Sequence, residues 1–171
     1  TLNDENPDPV TEVFPWTSAY KIIFYANSVI EGVMKAKADG STDTREQLLA
    51  EAYCLRAFVH FDLMNLYAKW YDPETAPTDK AIPLSLKVDI GQAYVPATVE
   101  QVYEQIFADL KEAEKYMQTE EQTGTFLYRF SGKSLKALKA RVYLYHQDWQ
   151  LAQETAEEIL VHCPLEDLVN E

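Results

Sequence analysis

The sequence is poor in glycine and cysteine, and it contains no long hydrophobic run. It has only 5 glycines and lacks a Gly-rich phosphate loop, a G-x-S-x-G elbow and a C-x-x-C pair, which argues against nucleotide-binding loops, serine hydrolases and dithiol redox sites. Its two cysteines, Cys54 and Cys163, are far apart and without metal-ligand spacing, so Cys54 is expected to be a buried free thiol. No apolar run approaches the roughly 18 residues that a membrane helix requires, so direct membrane insertion by this chain is not expected.

Positive charge is also scarce. The chain has 15 Lys and Arg residues against 28 Asp and Glu residues, which gives a formal net charge of −13. Such a surface repels phosphates, so neither nucleic acid nor anionic lipid is expected as a partner. The 47% hydrophobic content is typical of a globular protein, and 171 residues suit one domain with one core.

Catalytic and metal-binding patterns are missing as well. His60, His146 and His162 have no paired-ligand spacing, so each is expected to be a packing or surface residue. The adjacent acidic pairs at 120–121 and 157–158 diverge on a helix and make poor acid/base couples. The chain is therefore predicted not to be an enzyme and to use no cofactor or metal.

The segment 47–70 predicts a central helix that is packed on two sides. Two apolar stripes recur at helical spacing, one made of Leu48, Ala52, Leu55, Val59 and Leu66 and the other of Tyr53, Ala57, Phe61 and Met64. Thr44 and Gln47 form a capping box at its start. Arg56 lies among the apolar residues, so it should be buried and paired with a carboxylate from elsewhere, for which Asp109 is the preferred candidate.

Five helices are predicted, near 15–38, 44–68, 98–117, 132–146 and 149–161. Capping signals support their ends: Gly40 after the first helix, a Thr98 capping box, Ser131 and Asp148. Asn27 is unfavourable in mid-helix, so we expect it to hydrogen-bond a neighbour's backbone. Residues 1–14, polar and Pro-containing, are predicted to be an extended lead-in.

Between the second and third helices the segment 69–97 predicts a long Pro-rich connecting loop. Four prolines exclude a long helix there, and only residues 82–88 are apolar enough for a short extended piece. Connections of this length are uncommon unless they have a function. Residues 118–130 read as a polar turn followed by a short aromatic run.

The last two helices carry a tetratricopeptide pattern of small, aromatic and apolar residues, namely Ala140, Tyr143, Trp149, Ala152, Ala156, Ile159 and Pro164. Small residues allow two antiparallel helices to approach closely, and the aromatic residues fill the groove to the next pair. The predicted fold class is therefore all-α, built from tetratricopeptide-like helix pairs in an α-α superhelix.

Three segments, in the same order, resemble the SusD/RagB family. Residues 51–63 read EAYCLRAFVHFDL, close to that family's signature helix; Tyr20, Ile23 and Asn27 match its first helix, and residues 98–113 match a later one. Many members carry an arginine two residues before the matching threonine, where this chain has Pro96. The first and last residues have neither a signal peptide nor a closing feature, so residues 1–171 are expected to be a single SusD-like N-terminal helical-repeat domain from a longer protein.

The resemblance implies a role in nutrient uptake. Members of this family are glycan-binding lipoproteins of the Bacteroidetes outer membrane that work beside a TonB-dependent, SusC-like transporter. By resemblance, this protein would capture oligosaccharides for import. It would be exposed at the surface of the outer membrane through a lipid anchor that is not within this chain.

Lys69, Trp70, Tyr71 and Asp72 are the candidate glycan-binding residues. Sugar rings stack their C–H faces on aromatic planes, and their hydroxyls bind carboxylates and amines, so a Trp-Tyr pair entering a loop between Lys and Asp offers both. The position is similar to that of glycan-contacting loop aromatics in some family members. The other interpretation, slightly favoured from the residues alone, is that Trp70 and Tyr71 close the end of the helix core.

A second function class remains open. The helix pairs are also compatible with a soluble tetratricopeptide-type adaptor that binds a peptide or protein partner in its groove. Such grooves usually present basic or Asn-rich clamps for carboxylates. The strong acidity and the long Pro-rich loop favour glycan capture.

Overall fold

The computed structural model describes residues 16–37, 43–89, 91 and 93–162, the last without its side chain. It contains five α-helices, α1 to α5, and two short strands, β1 and β2: α1 Trp16–Gly32, α2 Arg45–Tyr67, β1 Lys80–Pro83, β2 Pro96–Thr98, α3 Val99–Tyr116, α4 Gly132–Tyr145 and α5 Trp149–His162. The all-α class and the five helices are confirmed. The predicted lead-in at 1–14, Pro15, the cap at Gly40, Cys163 and Pro164 lie outside the described residues.

The first helix is shorter than predicted. It ends at Gly32 and continues only as a 3-10 turn, Val33–Lys35, whereas the periodicity indicated a helix to about residue 38. Glycine is a poor residue for a helix interior because it loses the most backbone entropy, which accounts for a stop at Gly32.

Helix α2 is the centre of the molecule. It packs against α1 and α3, which confirms that both of its sides are covered, and α4 contacts both α2 and α3. Cys54, His60, Phe61 and Leu63 of α2 are almost completely buried, and Cys54 is a free thiol as expected. Of the apolar stripe residues, Leu66 is exposed at the end of the helix.

Of the four capping predictions at helix starts, two hold in full and one holds in part, while a side-chain cap by Asp148 stays a prediction. Thr98 forms the complete box with Gln101, and Ser131 caps α4 in a box with Ser134. Thr44 accepts a hydrogen bond from the Gln47 N–H at 3.1 Å, but the Gln47 side chain does not complete the box. Instead it accepts hydrogen bonds from the backbone of residues 118 and 119, which come after α3.

The long connection contains more structure than predicted. β1 pairs antiparallel with β2, with Lys80 opposite Thr98 and Pro83 opposite Pro96. The extended piece is therefore at Lys80–Pro83, and the prediction of residues 82–88 was wrong in position. A strand forms where a second backbone is available to pair with, and here that partner directly precedes α3.

Helices α4 and α5 are joined by a tight turn, as predicted. Gln147 has φ 67°, the left-handed conformation that lets the chain reverse at once. The His146 N–H donates to the Val142 carbonyl at 2.9 Å, and Asp148 begins the next helix by accepting the Ala152 N–H through its own carbonyl at 2.9 Å. The two helices then pack together as an antiparallel pair.

Candidate functional site

Arg56 forms the centre of a buried polar network. Its Nε donates to Asp109 Oδ2 at 2.8 Å and its Nη2 donates to Asp109 Oδ1 at 2.6 Å. Its Nη1 donates to Asn27 Oδ1 at 2.8 Å and to the Leu86 carbonyl at 3.3 Å. Asp109 is the carboxylate that the sequence indicated, and the pair has too little exposure to meet a ligand from solvent.

Asn27 extends this network into the long connection. Its Nδ2 donates to the carbonyls of Ser85 and Lys87 at 3.1 and 3.2 Å, so a side chain of α1 holds the backbone that follows β1. Together with the Arg56 contacts, these bonds tie three helices and the loop to one point. This network therefore fixes the backbone of residues 85–87, in the long connection, against the buried side chains of Asn27, Arg56 and Asp109.

Trp70 lies just beyond the end of α2 and is open to solvent. Its side chain is 84% exposed, the highest value among the three tryptophans. The helix ends at Tyr67, and the extended backbone of Ala68 redirects the chain away from the helix axis. An indole with this exposure has a free face on which a planar or ring-shaped ligand can stack.

Lys69, beside Trp70, is paired within the same connection. Its Nζ lies 2.6 Å from Asp79 Oδ1, and the Lys69 side chain remains 71% exposed while the Asp79 side chain is 16% exposed. The hydrogen bond from Lys69, followed by one from Thr75, lowers the pKa of Asp79 below its usual value. The Asp79 carboxylate is therefore ionised at neutral pH.

Tyr71, unlike Trp70, is partly buried and packs against the core. Its ring centroid lies 3.9 Å from that of His146 and 5.2 Å from that of Tyr103. Burial, followed by the negative charges of Glu100 and Asp148, raises the pKa of its hydroxyl. Its backbone carbonyl accepts a hydrogen bond from Gln147 Nε2 at 2.7 Å, which joins the loop to the α4–α5 turn.

Asp72 shapes the loop. Its Oδ1 accepts the Glu74 N–H at 2.9 Å, and its carbonyl accepts the Ala76 N–H at 2.7 Å, an arrangement typical of a turn begun by aspartate. Of the four candidate residues, Trp70 and Lys69 thus face solvent, whereas Tyr71 and Asp72 build the support beneath them.

A cleft of about 350 Å³ lies beside Trp70 and is lined by Met64, Asn65, Ala68, Lys69, Trp70, Tyr71, Tyr103 and Tyr145. Asn65 and Tyr145 are both exposed and add an amide and a phenol to its wall. Sequence reasoning missed these two residues because they lie inside helices, on different parts of the chain. No sequence pattern links them, because the end of α4 is brought to this cleft by a long-range contact, the hydrogen bond from Gln147 Nε2 to the Tyr71 carbonyl.

Another cleft, of about 400 Å³, lies between α1, α2 and the segment that precedes α4. Tyr25 and Tyr128 stand at this cleft with 55% and 81% exposure. Its charged groups are already engaged, since Arg129 Nε and Nη2 bind the two carboxylate oxygens of Glu51 at 3.0 and 2.8 Å. It offers aromatic and apolar surface with few free polar groups.

A third cleft, of about 550 Å³, lies between α3 and α4. Its aromatic rings, Phe107 and Tyr143, stack on each other with centroids 5.3 Å apart, and Lys139 is paired with Glu114 at 2.9 Å. An incoming sugar would have to compete with the stacking contact that these two rings already make with each other. The cleft beside Trp70 is therefore the best candidate for a sugar-binding surface.

Among the described residues, no group of three or more His, Cys, Asp or Glu side chains is placed to hold a metal ion. No helix in the same part of the chain is long and apolar enough to cross a membrane.

Comparison with protein families gives one clear match. Residues 1–144 match the model of a SusD-like family described as "Starch-binding associating with outer membrane". The chain is also 29% identical over 162 residues to SusD-like protein P38 of Formosa agariphila. That alignment covers 92% of this chain and 28% of the relative.

Solved structures give the same picture. A SusD superfamily protein from Bacteroides thetaiotaomicron is 25% identical with a TM-score of 0.74, and the match covers 85% of this chain and 31% of that one. A laminarin-binding SusD-like protein is 27% identical with a TM-score of 0.68, over 85% of this chain and 29% of that one. A SusD superfamily protein from Bacteroides fragilis is 28% identical with a TM-score of 0.72, over 84% and 33%. The chain thus spans about a third or less of the length of these proteins.

Proposed function

Since this chain belongs to the SusD-like family, whose model matches residues 1–144, we propose that it binds oligosaccharides rather than catalysing a reaction. The family description names starch binding, and one structural relative is a laminarin-binding protein. Both descriptions concern carbohydrate ligands, which supports the same ligand class here.

The observation that carries the proposal is the open indole of Trp70. Its exposed face can stack on the C–H face of a pyranose ring, while Asn65, Lys69 and the phenol of Tyr145 stand around the same cleft. Tyr71 and Asp72 hold the loop in shape, so little ordering entropy is lost when a sugar binds.

The biological setting that we propose follows from the family. The protein would be exposed at the surface of the bacterial outer membrane, held by a lipid anchor, and would pass its ligand to a TonB-dependent, SusC-like transporter. Association with the outer membrane is part of the family description, and the transporter partner is our extension of it.

Binding to a panel of neutral polysaccharides tests the proposal. The chain and its Trp70→Ala variant would be compared by isothermal titration calorimetry and affinity electrophoresis on laminarin, amylopectin and xylan. Loss of one stacking ring should weaken binding about two- to tenfold. The matched control is Trp149→Ala, which removes another exposed indole, 60% exposed, from α5.

Melting temperatures separate binding from folding. Trp70→Ala should melt as the unchanged chain does, while Tyr71→Ala should melt lower because its ring packs on Tyr103 and His146. Equal affinity of the chain and Trp70→Ala for a bound glycan would place the site elsewhere. Binding of peptides with no binding of any polysaccharide would favour the adaptor class instead.

A further inference from the structure

The charge balance beside Trp70 is set by one ion pair. Among the described residues that line the cleft, Lys69 is the only one with a charged side chain. Its ammonium group lies 2.6 Å from Asp79 Oδ1. The positive charge that an incoming ligand would meet is therefore already balanced by a carboxylate from the same connection.

The structure fixes Asp79 in place as the partner of Lys69. Its carbonyl accepts the Val99 N–H at 2.9 Å, so its backbone is fixed at the start of α3, and its side chain is only 16% exposed. The hydrogen bond from Lys69 keeps the pKa of Asp79 below its usual value, so the carboxylate stays charged in ordinary buffers. The flexible partner is Lys69, whose side chain is 71% exposed and reaches toward a fixed acid.

We propose that Asp79 is a specificity-determining residue, which masks Lys69 so that the cleft beside Trp70 accepts uncharged oligosaccharides and disfavours glycans with carboxylate or sulfate groups. This inference rests on the proposed glycan-binding function. It concerns which glycans are accepted, whereas Trp70 concerns whether a sugar ring is held at all.

The physical reason is the cost of placing an anion where no free cation compensates it. A uronate or sulfate that binds beside Trp70 loses part of its hydration, and the nearest ammonium group is shared with Asp79. The formal net charge of −13 adds a long-range repulsion, which salt weakens. A neutral sugar meets neither penalty and still gains the ring stacking.

The first measurement compares each neutral glycan with its own charged form. Laminarin, amylopectin and xylan would be titrated beside their carboxymethylated derivatives, at 20 mM and 500 mM NaCl. We expect the neutral polymer to bind more tightly at low salt and the difference to shrink at high salt. Equal or tighter binding of the carboxymethylated form at low salt overturns the inference.

The second measurement frees the lysine. Asp79→Asn removes the masking charge, and it should raise affinity for the carboxymethylated glycan about two- to fivefold at low salt while leaving the neutral glycan unchanged. The matched control is Glu112→Gln, which makes the same charge change at the exposed Glu112–Lys115 pair toward the other end of α3. The control should leave the affinity ratio of the two glycans unchanged.

A double variant tests whether the freed ammonium group of Lys69 causes the gain in affinity. Adding Lys69→Met to Asp79→Asn should abolish the gain, because the freed ammonium group is then gone. Circular dichroism and melting temperature would verify that each variant is folded. A gain that persists in the double variant, or no gain in a folded Asp79→Asn variant, overturns the role of Asp79.

The outcomes also separate the two proposals. If the charged glycan binds more tightly than the neutral one, or if Asp79→Asn leaves the affinity for the charged glycan unchanged, glycan binding stands and the specificity inference fails. If no glycan of either kind binds to the unchanged chain, the proposed function fails and the inference fails with it.

Discussion

Arg56 is the residue whose loss should remove contacts between the largest number of elements. Its guanidinium contacts side chains from α1 and α3 and a backbone carbonyl of the connection, all in the interior. An ionised group in such a place is tolerated because all three nitrogens of the guanidinium donate hydrogen bonds. Removing it leaves Asp109, which is 1% exposed, without its cation.

Replacing Arg56 with Ala should therefore lower the free energy of unfolding by roughly 3–5 kcal/mol, the typical loss when one partner of a buried pair is removed. Urea denaturation followed by circular dichroism would measure it. The control is Lys136→Ala, which breaks an exposed contact with Glu120 at 3.6 Å and should cost about 1 kcal/mol or less. A loss for Arg56→Ala as small as that of the control would contradict a structural role for the pair.

His60 is a second unusual residue of α2. It is fully buried, and neither ring nitrogen makes a hydrogen bond of good geometry within the described part of the chain. Burial, followed by the positive charge of Arg56, lowers the pKa of His60 to about 3, although the Arg56 backbone carbonyl opposes this shift. The folded protein thus keeps His60 neutral where the unfolded chain would protonate it.

Stability should consequently fall on acidification. Because the folded pKa lies below the unfolded value, the contribution of a neutral His60 is complete above about pH 6.5 and is lost as pH falls toward 3. The unchanged chain should lose about 1.5–2 kcal/mol more than a His60→Leu variant between pH 6.5 and pH 5. Urea denaturation at several pH values would measure this difference, and parallel stability curves for the two proteins would refute the explanation.

At the scale of elements, α2 and α3 begin with the same residue types but use them differently. Gln101 completes the capping box of α3 by accepting the Thr98 N–H at 3.0 Å. Gln47 occupies the same position of α2, yet its Oε1 accepts the N–H groups of Gln118 and Thr119, both at 3.0 Å. Gln47 therefore fixes the end of one helix to the start of another.

Alanine at these two positions should have unequal effects. Gln47→Ala leaves two partly buried backbone N–H groups without an acceptor and should cost about 2–3 kcal/mol. Gln101→Ala loses one bond at an exposed helix start and should cost about 0.5–1 kcal/mol. Chemical denaturation of the two variants would compare them directly, and equal losses would mean that Gln47 acts only as a local cap.

At the scale of the whole molecule, the core joins the first four helices more firmly than the fifth. The main cluster of buried apolar residues draws on α1, α2, α3, α4 and the connection before α3. Among the described elements, α5 packs on α4 alone, and its Trp149, Leu151, Leu160 and Val161 are exposed. Regions with few buried apolar contacts open with the smallest free energy.

Amide hydrogen exchange should therefore be slower in α1 to α4 than in α5. Amides of α1 to α4 are expected to exchange only with global unfolding, and those of α5 to exchange faster through local opening. Mass spectrometry of the exchanging chain with peptic digestion would measure both. Equal protection of α5 and α2 would show that one cooperative unit includes all five helices, as the single-domain prediction for residues 1–171 implies.

Much of this molecule follows from short-range patterns. The five helices, the Thr98 and Ser131 caps and the tight turn before α5 depend on residues within one or two turns of each other. The family was also recognisable from motifs on single helices, and the match over residues 1–144 confirms it. The buried partner of Arg56 could be named because an interior cation requires a carboxylate, and Asp109 lies on a buried face of α3.

Other features were decided only when distant segments met. Trp70 and Tyr71 are neighbours in sequence, but Tyr71 is partly buried because Tyr103 and His146 lie against it, while Trp70 has no such ring partner among the described residues and stays open. In the same way, the strand Lys80–Pro83 depends on pairing with Pro96–Thr98, and the Gln47 side chain accepts a hydrogen bond from the backbone that follows α3. Periodicity records which side of a helix is apolar, but the choice of partner depends on contacts between residues far apart in the chain, which only the packed structure determines.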